Sequence, residues 1–152
     1  MVTLQPMTAA DFQRFLQTAI TNYAAEKVRA GNWTEEDSLQ HAAEDFDNLL
    51  PDREQTKDHY LYTIVNEPGD QVGIIWLARQ TADKGFIYDI LIEDAYRGKG
   101  YGKAAMQQIE KEAKQLGMQK IGLHVFGHNK VAVHLYDSLH YQATNIVMEK
   151  EL

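Results

Sequence analysis

Apolar positions along this chain recur with two different periods, and the change between them falls near His59. Phe12, Phe15, Leu16, Ala19, Ile20 and Tyr23 follow at spacings of three and four, which predicts a helix from Ala9 to about Arg29, capped by Thr8 and closed by Gly31. Thr34 and the acidic run Glu35-Glu36-Asp37 resemble a capped helix start, and Leu39, Ala42, Ala43, Phe46, Leu49 and Leu50 form the apolar stripe of a second helix ending at Pro51. A short strand over residues 2–4, stopped by Pro6, precedes this helical hairpin. Residues 52–58 read as a polar connection without internal structure.

Past His59 the period drops to two. Residues 60–65 and 71–78 read as strands joined by the turn Asn66-Glu67-Pro68-Gly69-Asp70, and so as a hairpin. A third, central strand is predicted over 86–92, followed by a helix over 102–116, a strand over 120–125, a helix from Asn129 to about Leu139 and a last strand over 143–148. Strands joined first by a hairpin and then through helices indicate an α/β (α+β) mixed sheet with helices on both faces.

With 152 residues the chain is most economically a single domain, 1–152. It contains no cysteine, so thiolate metal sites, disulfides and cysteine nucleophiles are excluded. The six histidines show no metal-ligand spacing on a shared face, and no metal is expected. Net charge is −7, and all of that excess lies in residues 1–68. An acidic chain is a poor binder of nucleic acid, and an acidic half beside a substrate cleft favours a cationic substrate. No apolar run approaches a membrane span and the N-terminus resembles no leader, so a cytoplasmic protein without membrane partners is expected.

The densest chemical signal is Arg97-Gly98-Lys99-Gly100-Tyr101-Gly102-Lys103, between the predicted central strand and a helix. Small residues there leave main-chain N–H groups accessible at a helix start, and with the helix dipole and three cations they suit a di-anion such as a pyrophosphate. A dinucleotide fingerprint would need glycine at Lys103 or Ala105, and a Walker loop would need a hydroxyl at Ala104 and glycine at Arg97. Neither pattern is met. The remaining pattern, Arg97-x-x-Gly100-x-Gly102 at the end of a strand, resembles the GCN5-related N-acetyltransferase (GNAT) family. Asn129-x-x-Ala132-x-x-Leu135-Tyr136 resembles a second motif of that family, with His140 standing where its glycine is usual.

The resemblance covers essentially the whole chain. It implies a mixed, mostly antiparallel sheet of six to seven strands with about four helices, an acceptor-side helical hairpin within 1–68 and an acetyl-CoA-binding core over 86–142. It also implies an acetyl-CoA-dependent N-acetyltransferase acting on a primary amine by direct attack in a ternary complex, as a monomer or homodimer. A non-catalytic acyl-CoA-binding or sensing domain is the alternative. By resemblance, Ile90, Leu91 and Ile92 hold the acyl and pantetheine segment, with a backbone N–H as oxyanion donor, and the loop from Arg97 through Gly98, Lys99, Gly100, Tyr101 and Gly102 to Lys103 holds pyrophosphate. Asn129 is a candidate contact to pantetheine or a plain helix cap. Tyr136 is the candidate general acid, since a phenol stays protonated at neutral pH, and Asp89 the candidate general base. Tyr88, on the opposite face from Asp89 by strand alternation, together with Glu26 and Trp33 around the Gly31 turn between the two helices, are the candidate acceptor contacts for a small-molecule or peptide amine.

Overall fold

The structure, a computed structural model, describes residues 1–152. Five strands lie in sequence order across one sheet: β1 (Val2–Pro6), β2 (His59–Asn66), β3 (Gln71–Arg79), β4 (Lys84–Ile92) and β5 (Lys120–Leu123). Each of the first four is antiparallel to the next, and β5 runs parallel to β4. The helices are α1 (Ala9–Arg29), α2 (Glu35–Leu49), α3 (Tyr101–Gln115) and α4 (Lys130–Ser138), and no helix is long and apolar enough to cross a membrane.

The alternation in β3 explains why the sheet is covered on both faces. Ile75 and Leu77 are buried against α3 in one cluster with Ile64, Ile87, Met106 and Ile109, while Trp76 between them joins Phe12, Phe15, Leu50 and Leu61 on the α1–α2 side. Burial of each such side chain contributes about 1.5–3 kcal/mol. At its start α1 carries a capping box, in which Thr8 and Asp11 exchange side chain-to-backbone hydrogen bonds. Thr34 occupies the N-cap position of α2 without a side-chain bond. The polar connection before β2 contains a single 3-10 turn, Arg53–Gln55.

The expected sixth and seventh strands are absent, and residues 143–148 form no strand. Their β-favouring side chains meet no neighbouring backbone, and a strand exists only when its N–H and C=O groups join a ladder. The sheet therefore has five strands.

His140 resolves the departure from the usual glycine. It follows the α4 C-cap in the left-handed region, φ 69°, while the Tyr141 amide bonds the Tyr136 carbonyl and the His140 amide that of Asp137. This is a Schellman stop, and it costs a non-glycine residue about 1–2 kcal/mol. His140→Gly is expected to stabilise the fold by about 1 kcal/mol, read as a rise in the urea midpoint with unchanged slope.

Candidate active site

The glycine loop leaves backbone amides open at a helix start, a geometry that suits an anion. Gly98 and Gly100 have φ of 75° and 83°, and a Cβ on either would meet nothing within 4 Å, so the sign of φ alone requires glycine there. Gly100 is the α3 N-cap, and the amides of residues 98–103 donate to no acceptor in the protein. The side chains contribute less than their charges suggest. The Arg97 Nε donates to the Ile92 carbonyl at 2.9 Å and its Nη1 pairs with Asp94 at 2.8 Å, so the guanidinium braces the loop. Lys99 lies over the Tyr96 ring at 5.8 Å, the Tyr101 hydroxyl accepts from Asn66 at 3.3 Å, and Lys103 is exposed.

Next to the loop, β4 loses one of its neighbours. Pairing with β5 runs from Lys84 to Ile87 and stops, while pairing with β3 continues to Ile92. The Glu93 amide donates to the Val72 carbonyl at 2.9 Å, so by antiparallel alternation the main-chain groups of Leu91 also face β3. Those of Ile90 and Ile92 face the opposite way, into the gap. The three positions named from sequence thus divide: Ile90 and Ile92 offer backbone to the gap, whereas the Leu91 side chain lines a cavity on the α1 side. Gly73 permits this arrangement, because a Cβ there would lie 2.1 Å from the Leu91 carbonyl oxygen.

Tyr136 projects from α4, half-buried against the α3-side core, with no hydrogen bond to its hydroxyl. Burial, and then the charge of Asp89, push its pKa above the ordinary phenol value. Asn129 caps α4, its Oδ1 accepting from the Ala132 amide at 3.2 Å.

The cavity, of about 250 Å3, lies between α1 and the sheet and is walled by Phe15, Thr18, Asn22, Ile74, Asp89 and Leu91. Burial raises the pKa of Asp89; the Ile90 amide opposes this and the Glu26 charge adds to it. Glu26 is exposed on α1 and continues the stripe Asp11, Phe15, Thr18, Asn22 at helical spacing, which points it toward the same cavity. Asp11, at the other end, is already spoken for. Burial would raise its pKa, but bonds from Thr8, the charge of Arg14 and a bond from Gln71 together lower it.

Tyr88 departs from simple alternation. Pairing shifts register so that Trp76 opposes Asp89 and Leu77 opposes Ile87, leaving Tyr88 as the extra residue of a bulge. Tyr88 therefore stacks on Trp76 at 4.7 Å, on the α1–α2 side that Asp89 also faces, and not on the opposite face. Trp76 in turn donates its indole N–H to His59 Nδ1 at 3.0 Å, and burial lowers the pKa of that imidazole against the pull of Asp58. Trp33 packs edge-on to Tyr23 at 5.5 Å and against His41 at 5.3 Å, clasping α1 to α2; it does not line the cavity.

Residues 12–141 match the acetyltransferase (GNAT) family. The chain belongs to that family. It is 34% identical over 153 residues to the uncharacterized N-acetyltransferase YdgE of Bacillus subtilis, covering 99% of this chain and 98% of that protein. It is 36% identical over 154 residues to the uncharacterized N-acetyltransferase YycN of the same organism, covering 99% of both. The crystal structure of YycN superimposes with a TM-score of 0.87 over 100% of this chain and 99% of that one. The fold is also that of spermidine N-acetyltransferase from Vibrio cholerae, solved in complex with CoA and spermine, at a TM-score of 0.63, 20% identity and coverage of 90% and 78%. GNAT membership makes this chain an acyltransferase of the N-acetyltransferase type.

Sequence reasoning on this GNAT chain missed Thr18, Asn22, Gly73 and the His59–Trp76 pair. The α1 residues carried a signal, since Asp11, Thr18 and Asn22 repeat at helical spacing beside the apolar stripe of Phe12, Phe15 and Ala19. Gly73 and His59 carried none, because their roles are set by a partner strand.

Asp89 gives a sign that can be checked. Its folded carboxyl binds a proton more tightly than the unfolded one, so its ionisation costs stability as pH rises from the ordinary value of 3.8 through the raised one. Asp89→Asn is expected to raise the urea midpoint at neutral pH, and the gain should disappear as pH falls below 3.8.

Proposed function

We propose that this chain transfers an acetyl group from acetyl-CoA to a primary, cationic amine by direct attack in a ternary complex. The observation that carries the reading is the conjunction of Asp89 with Tyr136. One is a carboxyl raised by burial in a cavity, the other a phenol raised by burial and by that same carboxylate, and the half-paired strand β4 with its backbone cradle lies next to them.

The residues fit acetyl-CoA. Unpaired amides from Gly98 to Lys103, with the α3 dipole behind them, suit a pyrophosphate, and Lys103 adds a cation. The Ile90 and Ile92 main-chain groups suit the amides of pantetheine, which is itself strand-like, and the Ile90 N–H is the candidate donor to an acyl oxygen. Bound acetyl-CoA supplies a thioester whose carbonyl carbon is open to attack by an amine. Asn129 and Arg97 act by holding α4 and the loop in place.

Asp89 takes the proton that keeps an amine ammonium non-nucleophilic. Its raised pKa brings it nearer the operating pH, where a base both accepts a proton and remains mostly ionised. Tyr136 holds its proton at neutral pH and donates it to a departing thiolate. Glu93 lines the cavity without a cationic partner and the charge of Glu26 reaches Asp89 from α1, whereas the charge of Asp11 is balanced by Arg14, so an ammonium is favoured over a neutral or anionic acceptor. The acetyltransferase of the same fold that was solved with CoA and spermine supports a cationic acceptor. Tyr88 and Glu26 are the acceptor contacts of this reading, and Trp33 serves by fixing the α1–α2 turn. The absence of cysteine removes the commonest acyl-enzyme route and supports direct attack.

Thiol release from acetyl-CoA against a panel of polyamines, amino acids, aminoglycosides and peptide N-termini tests the reading. Tyr136→Phe and Asp89→Asn should each lower kcat about 10²–10⁴-fold, with Asp89→Asn also flattening the acid limb of the pH–rate profile. Binding of CoA without turnover of any amine would instead establish a sensing domain. A Cβ on Gly102 would make only ordinary contacts, the nearest with Leu135 at 3.7 Å, so Gly102→Glu should leave the melting temperature near wild type while abolishing CoA binding by calorimetry.

A further inference from the structure

Tyr136 rides on a helix with little burial of its own. None of the nine residues of α4 is fully buried, whereas α3 buries Ala104, Ala105, Met106, Ile109 and Ala113. An acid that must reach a departing sulfur tolerates about 0.5 Å of displacement, so something besides burial has to fix α4. Contacts to α3 supply it. Leu135 lies against the first turn of α3, 3.7 Å from the place a Gly102 Cβ would take. Just beyond α4, the Tyr141 hydroxyl donates to Glu110 Oε2 on α3 at 2.9 Å, a bond that its carboxylate acceptor makes charge-assisted.

Tyr141 passes that hold directly to Tyr136. Its amide donates to the Tyr136 carbonyl at 3.0 Å, and the two rings meet edge-on with centroids 5.9 Å apart. Between them His140 sits at φ 69°, in a region that a non-glycine residue keeps only when its surroundings impose it. Burial, then the bond to Glu110, the charge of Glu110 and the neighbouring Tyr136, push the Tyr141 pKa far above the ordinary phenol value. Its hydroxyl therefore keeps its proton and stays a donor to Glu110. Two phenols thus stand side by side, one engaged with a carboxylate and the other, Tyr136, with its hydroxyl free. Glu110 follows the Gly100 N-cap by ten residues, about 15 Å along the axis of α3. The helix that begins at the phosphate loop is the same one that holds Tyr141.

We propose that Tyr141 and Glu110 are positioning residues: their hydrogen bond locks the stop of α4 against α3 and so registers the Tyr136 phenol against a cofactor held at the start of that same helix. This role presupposes Tyr136 as the acid of an acetyl transfer. Both residues act through Tyr136 and not on the reacting atoms.

Steady-state kinetics of the full chain, with acetyl-CoA and the amine of the panel that is turned over fastest, read the role. Tyr141→Phe keeps the ring and loses the donor, and should lower kcat about 10–100-fold while the KM for acetyl-CoA stays within about twofold. Glu110→Ala should match it, and Glu110→Gln, which keeps an acceptor oxygen, should recover most of the loss. In a Tyr136→Phe background, Tyr141→Phe should cost nothing more, because the hydroxyl it positions is gone. Wild-type kcat in Tyr141→Phe overturns the proposal, and so does an equal loss in both backgrounds, which marks a merely structural contact. Should Tyr141→Phe lose the circular dichroism of the wild type, Glu110→Ala against Glu110→Gln decides by the same criteria. A wild type that turns over no amine removes the acetyl-transfer reading together with this role, whereas an active wild type silenced by Tyr136→Phe and indifferent to Tyr141→Phe removes the positioning role alone.

Discussion

Strand β4 has a full neighbour on one side and half a neighbour on the other, and the functional architecture follows from that inequality. Main-chain groups left without a partner are costly when covered, so a strand that parts from its neighbour must meet either solvent or something able to accept and donate hydrogen bonds. Here β5 ends at Leu123, opposite Ile87, and the five residues of β4 beyond that point, 88–92, have no strand on that side. The register on the β3 side decides which of them face the gap. Because the Glu93 amide bonds Val72, Ile90 and Ile92 face outward while Leu91 and Asp89 are held by β3.

The same register carries the bulge that makes the other face of the site. Inserting Tyr88 turns Tyr88 and Asp89 to the α1–α2 side together, so an aromatic ring and a carboxyl share one wall. The stack from His59 through Trp76 to Tyr88 then fixes the bulge across three strands, with the indole N–H satisfied by an imidazole nitrogen instead of being left unpaired. Gly73 has the matching role in β3, since any side chain there would push β4 away at Leu91. The candidate site is therefore a property of strand register, with α1 walling the cavity and α4 carrying Tyr136.

Charge is distributed by use, not by count. Arg97 and Arg14, two cations near the candidate site, are paired with Asp94 and Asp11, so the loop offers an anion amides and a helix terminus more than side-chain charge, while Glu93 on the cavity wall has no cationic partner. Asp89 is the group for which solvation was given up without a cation in return. Its raised pKa is the result, and through Tyr136 that shift reaches the opposite side of β4.

What could be read from the chain was what is decided within a few residues. Thr8 with Asp11 caps a helix through neighbours three apart, glycines at 98 and 100 are demanded by the local sign of φ, and the apolar periods of α1, α2 and α3 record which side of each element is buried. Even the departure at His140 is local, and it resolves locally as a left-handed residue. What could not be read depended on partners distant in sequence. Simple alternation assigned Tyr88 to the wrong face because a bulge is a mismatch between two strands, invisible in either alone. The strand expected at 143–148 has the right side chains and no ladder, since a strand exists only in the company of another. By itself the sequence determined the elements, the buried faces and the phosphate-loop pattern, because those rest on short-range sterics and side-chain chemistry. Tertiary structure alone decided the sheet register, the parting of β4 from β5 and the desolvation of Asp89, because each is a relation between segments that only packing brings together.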